Sequence, residues 1–169
     1  MKTYVLTLSK VFPVRHKRAG KPTNFERAFM AGQVFQVGKL HTIRANYELW
    51  ATRFEEIAAG EAALSIRQWT GKPYQSKQRE IARLTREDGI GLQQLSFGYL
   101  LGKFMPIIDG FYSNTSYEQI AHNDGLSYED WQDWFTSCDK IKPLAIIHFT
   151  KFRYQTKEGG KNEGATNNR

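Results

Sequence analysis

Nine residues near the carboxyl end, Leu144 to Phe152 behind Pro143, constrain the fold more than any other stretch. A run this rich in apolar residues has to lie inside a sheet, because a strand with one wet face would alternate. The helix predicted before it is equally well specified. Ser127 is placed to cap it, and Trp131, Trp134, Phe135 and Cys138 recur at i, i+3, i+4 and i+7, the spacing of one apolar stripe.

The rest of the chain reads as further strands and short helices. Residues 3–9 alternate Tyr4, Leu6 and Leu8 against Val5, Thr7 and Ser9, which predicts a first strand, central in its sheet. Thr23-Asn24-Phe25-Glu26 has the spacing of a capping box and predicts a helix to about Gly32, with Phe25 and Phe29 on one face. Asn46 is placed to cap a second helix with Trp50, Phe54, Ile57 and Ala58 as its apolar stripe and Gly60 as its stop. Ala62–Trp69 and Ser76–Thr85 read as the arms of a long hairpin around the turn Thr70-Gly71-Lys72-Pro73. Leu92–Phe97 and Lys103–Ile108 are further short strands. Thr115-Ser116-Tyr117-Glu118 predicts another capped helix before the turn Asn123-Asp124-Gly125. The expected class is α+β, a small mixed β-barrel decorated with about four short helices. One domain is expected over residues 1–154, and a disordered tail over 155–169, where Gly, Asn and Lys leave nothing to bury.

Composition narrows the partners. The formal charge of +7 points to an acidic one, either nucleic acid or a phosphorylated small molecule. A single cysteine and four histidines without paired spacing predict neither a disulfide nor a metal site, and no cofactor motif is present. The segment Met1 to Ser9 is too short and too alternating for a signal peptide, and no run reaches transmembrane length. A cytoplasmic protein with no membrane partner is expected. Between Lys10 and Lys21 lie five Lys or Arg and no acid, interrupted by Pro13 and Gly20. That loop is either solvated surface or a clamp for a phosphate backbone. The hairpin carries Arg67, Lys72, Lys77, Arg79, Arg83 and Arg86 with Trp69 and Tyr74 near its tip. Cations interleaved with rings suit single-stranded nucleic acid, and they equally suit an edge hairpin protected by charge.

The candidate site is Gly38-Lys39-Leu40-His41-Thr42-Ile43-Arg44. Gly38 can open a tight turn, after which Leu40 to Arg44 alternates as a short strand that sends Thr42 and Arg44 to one face. Lys39 sits in the turn and can lean over that face, where Arg44 would lower its affinity for a proton. The pattern also fits a surface strand with solvated basic residues.

This G-K-x-x-T-x-R run, the Trp-bearing helix after it, the strand Ala62-Ala63-Leu64-Ser65-Ile66-Arg67-Gln68-Trp69 and the element Asp124-Gly125-Leu126-Ser127 before a second Trp-bearing helix resemble the ASCH domain. The resemblance covers residues 3–153. It implies a PUA-like barrel with RNA-related roles. Some members remove the acetyl group from N4-acetylcytidine with a lysine, a threonine and a glutamate, whose positions fall on Lys39, Thr42 and Asp124. Asp124 is one methylene shorter than the family's acid. Two functions follow as expectations: binding of RNA or a modified nucleoside in a basic pocket, or amidohydrolysis at a Lys/Thr/Asp site. Candidate ligand-binding residues are Arg44 and His41 of the motif and Arg67, Trp69, Lys72, Tyr74 and Lys77 of the hairpin.

Overall fold

The computed structural model describes residues 1–135 and 142–156, so Cys138 and most of the expected tail lie outside the described residues. Twelve regular elements follow in order: β1 (Lys2–Thr7), α1 (Phe25–Phe35), β2 (His41–Arg44), α2 (Tyr47–Ala58), β3 (Ala62–Trp69), β4 (Gln78–Leu84), β5 (Gly91–Leu100), β6 (Lys103–Ile108), β7 (Phe111–Tyr112), α3 (Tyr117–Asn123), α4 (Tyr128–Phe135) and β8 (Leu144–His148). The class is α+β, as expected. Hydrogen bonding divides the described strands into two sheets, β1-β3-β4 and β2-β8-β5-β6-β7, rather than one closed ring. The first contains a parallel pair, β1 with β3, while the second is antiparallel throughout.

Strand β8 explains its own composition. Ala145 and Ile147, with Phe149 just beyond, join a core shared with α1, α2 and the three-stranded sheet, while Leu144 and Ile146 join a second core against α3 and α4. Both faces are covered, so every residue from Leu144 to His148 is buried. Helix α4 serves both cores: Trp131 packs in the second and Trp134 against the first. The apolar stripe read from spacing is therefore split between two clusters.

Several expectations are corrected. Strand β1 is an edge strand, because β3 pairs with it on one side and with β4 on the other while no described strand takes the outer edge of β1; Lys2, Thr3 and Val5 are exposed and only Leu6 is fully buried. The Thr23 capping box does not form. Thr23 Oγ1 donates to Ser9 O at 2.6 Å and accepts from Phe25 N at 3.3 Å, one residue ahead of the helix, and Asn24 takes the N-cap position in a left-handed conformation. Helix α1 runs through Gly32 to Phe35. Ser116, not Thr115, caps α3, accepting from Gln119 N at 3.1 Å. Strand β8 stops at His148, short of Phe152, and the two-residue β7 carries no pattern that sequence could reveal.

The candidate functional site

Lys39 is held on every side. It follows Gly38, whose φ of +95° only glycine adopts freely, and its N–H donates to Ala28 O at 3.0 Å. The next residue ties the turn to α3, with Leu40 N donating to Asn123 O at 2.8 Å. Glycines make room for the chain here: a Cβ at Gly32 would lie 2.6 Å from Lys39 O, and one at Gly125 would lie 3.1 Å from Lys39 Cβ. The lysine side chain is only 1% exposed. Its ammonium donates to Asp124 Oδ1 and to Asp124 O, both at 2.6 Å, and stands 4.1 Å from the centroid of the Phe25 ring.

Asp124 is itself 3% exposed, at the C-cap of α3. Burial pushes the Lys39 ammonium down, against the pull of Asp124, and pushes the Asp124 carboxyl up, against Lys39 and Arg44. Both shifts run toward the neutral pair, since low dielectric penalises two charges more than two dipoles.

The alternation of β2 then sorts the motif. Thr42 and Arg44 line a small cavity of about 30 Å³ together with Lys39, Asp124, Ser9 and Trp134. Such a volume holds about one water or one small substituent. Thr42 is 5% exposed, and its hydroxyl makes no hydrogen bond to any described residue. At rest Lys39 is thus held by Asp124 and not by Thr42. Arg44 stands between this cavity and the groove outside it, its Nη2 donating to Thr7 O at 2.6 Å.

Arg44 and Ser9 also line a larger outer groove of about 660 Å³, in the range of small-molecule sites. Its cations are Lys10, Arg44 and Lys72, no acid lines it, and Trp69 and Tyr74 supply its rings. The rings lie 5.2 Å apart across the hairpin tip, where Tyr74 has a φ of +62° and is 90% exposed.

The structure therefore brings together Lys39, Thr42, Asp124, Arg44, Trp69, Lys72 and Tyr74, and separates three other expected residues from them. Arg67 turns away to Ser65 Oγ at 2.8 Å and toward Glu80 at 3.9 Å. Lys77 is exposed but does not line the groove. His41 points to the opposite face of β2, where its Nε2 meets the Tyr154 hydroxyl at 2.7 Å. The basic loop is divided too. Lys10 to Val14 form one wall of the groove, whereas Arg18 is bound to Asp130 at 2.5 Å and the buried His16 stacks on Phe12 and meets Asp130 O at 3.0 Å.

A buried polar network supports the pair from behind. Tyr154 OH accepts from Asn123 Nδ2 at 3.0 Å and meets His41, so it joins the residue before Asp124 to strand β2. Gln93 links His148 at 3.0 Å and Asp109 at 2.9 Å to the Tyr154 backbone. Burial lowers His41 far below the ordinary histidine range and His148 to about 3, so both rings are neutral. Sequence reading missed Asn123 and Tyr154, and also Ser9 and Phe25 as cavity residues.

Among the described residues no group of three or more His, Cys, Asp or Glu is placed to hold a metal, and no helix is long and apolar enough to cross a membrane. Compared with known proteins, the chain matches no family model, no curated protein and no solved structure.

Proposed function

We propose that this chain is an ASCH-like, PUA-like domain that binds RNA or a modified nucleoside. The outer groove holds the base and backbone, and the inner cavity receives a small substituent of the base. The observation that carries this reading is an acid-free groove with Lys10, Lys72, Trp69 and Tyr74 that opens through Arg44 onto the buried Lys39–Asp124 pair. Rings stack on any base and cations follow the backbone, which is the chemistry of single-strand binding. Lys39 is already matched by Asp124, so the cation at the mouth that meets a phosphate is Arg44. The Lys39–Asp124 pair offers a ligand donor and acceptor capacity instead of net charge. Titration of a short single-stranded RNA against wild type and Trp69→Ala tests this. Loss of one stacking ring weakens binding by roughly tenfold or more, and unchanged affinity removes the groove from the interface.

A second reading, amidohydrolysis of an acylated nucleoside such as N4-acetylcytidine, is favoured by the unpartnered Thr42 hydroxyl beside a lysine pushed toward its neutral form. In it the lysine's proton resides on Asp124. Thr42 Oγ attacks the acyl carbon while its proton passes to Lys39, and the carbonyl electrons move onto oxygen facing Arg44. Lys39 then returns the proton to the departing amine as the C–N bond breaks. Water releases the acid from Thr42 in the second half. Acetate release by wild type, abolished in Thr42→Ala and in Lys39→Met, is the expected result. No release from acylated nucleosides between neutral and mildly alkaline pH leaves a binding site only.

A further inference from the structure

The outer groove does not end at Lys10. A second depression of about 460 Å³ begins on the far side of that residue, between Arg27, Asn24 and Met30, and Lys10 lines both. Its floor contains Gln68, the residue before Trp69 on β3. Gln68 is 7% exposed, yet its side-chain amide makes no hydrogen bond to any described residue. The amide stays reachable from the depression, where water or a ligand can satisfy it. The acid in this depression, Glu26, is matched by Arg79 at 2.6 Å, so it does not set a bare negative charge against an anion. Lys10 and Arg27 thus stand over a site with a free donor and acceptor at its base.

We infer that this depression is a second nucleotide subsite, with the Gln68 amide reading a base edge and Lys10 holding the phosphate that connects it to the base at Trp69 and Tyr74. The ligand is then a single strand of at least two nucleotides, not a free nucleoside. An amide suits this role because it presents one donor and one acceptor side by side, the pattern complementary to a base edge. The exposed Met30 borders the same depression and offers the base an apolar, polarizable contact. Two subsites joined by one cation bind a linked pair of nucleotides more tightly than either alone, because the second contact forms within the complex.

This inference rests on the nucleic-acid reading above, and the test separates the two. Cytidine and uridine 5′-monophosphates and the tetranucleotides rA4, rC4 and rU4 are titrated at low salt against wild type, Gln68→Leu and Trp69→Ala. Leucine keeps the volume and removes only the amide, so the variant folds. At least one tetranucleotide binds tenfold or more tightly than the mononucleotides. Gln68→Leu weakens that tetranucleotide about tenfold and leaves the mononucleotides unchanged, while Trp69→Ala weakens both. Equal affinity for mononucleotide and tetranucleotide, or a Gln68→Leu variant with wild-type tetranucleotide affinity, overturns the second subsite and leaves the first standing. Failure of every probe to bind wild type overturns both.

Discussion

Replacing Asp124 with Asn keeps the shape of the site and removes the counter-charge from a lysine that is 1% exposed. Lys39 would retain the carbonyl of residue 124, at 2.6 Å, and the Phe25 ring, at 4.1 Å, but no anion. Leaving one member of a buried pair charged and alone costs about 3–5 kcal/mol. The lysine has an escape, which is to shed its proton. With an ordinary value near 10.4, doing so at pH 7 costs about 4.6 kcal/mol, so the two routes set the same range. The second route has a signature. In Asp124→Asn the unfolded chain binds a proton that the folded chain does not, so folding stability rises with pH, by up to about 1.4 kcal/mol per unit between pH 7 and 10. Lys39→Met combined with Asp124→Asn removes both charges. It restores stability to within about 1 kcal/mol of wild type or above it, and it flattens the pH dependence, since buried pairs are commonly matched or exceeded by neutral replacements. Urea melts of the wild type, both single variants and the double variant at pH 7, 8 and 9 measure every term. A loss under about 1 kcal/mol for Asp124→Asn at pH 7, with no recovery at higher pH, would refute the claim that Lys39 is buried and held by Asp124.

Gly125→Ala places a Cβ 3.1 Å from Lys39 Cβ on a backbone with φ of +79°, so thermal melts should record a loss of about 1–3 kcal/mol. Tyr154→Phe deletes the hydroxyl between His41 and Asn123, and a urea melt should register about 1–3 kcal/mol for the polar groups left behind. His41 and His148 are lowered in the folded chain, so the unfolded chain binds more protons below the ordinary histidine value. Stability is then lost as pH falls from about 6.5 toward the His148 value of about 3. Acid titration by circular dichroism should find His148→Gln less sensitive across that window than wild type.

The elements that sequence made legible are those whose patterns are local. Asn46 caps α2 and accepts from Leu49 N at 3.2 Å, Trp69 and Tyr74 meet at the tip of the predicted hairpin, and Leu144 to His148 lie inside a sheet. Local signals failed where a distant group competed for the same atoms. Thr23 has the sequence of a capping residue, but its hydroxyl ties Ser9 O to Phe25 N while Asn24 takes the N-cap, and Ser116, whose S-x-x-Q spacing to Gln119 competes with that of Thr115, caps α3. The first strand alternates as an inner strand would, and only its pairing places it at an edge. For the site, the pattern of Lys39, Thr42 and Arg44 was readable from strand alternation. The burial of Lys39 was not, because it depends on Gly32 and Gly125, which come from two other parts of the chain. His41 was misplaced for a simpler reason: in a strand, neighbours of Thr42 face the other way.

The central claim, that the groove between Lys10 and Tyr74 holds a nucleic acid strand, is tested most directly by its salt dependence. Binding of a single-stranded RNA octamer is followed through tryptophan fluorescence at a series of salt concentrations, for wild type and for Lys10→Ala combined with Lys72→Ala. Three groove cations on a single strand predict a slope of log K against log salt near about −2. Removing two of them should bring it to about −0.7 without unfolding the chain. No binding at low salt, or a slope that the double substitution leaves unchanged, would contradict the account.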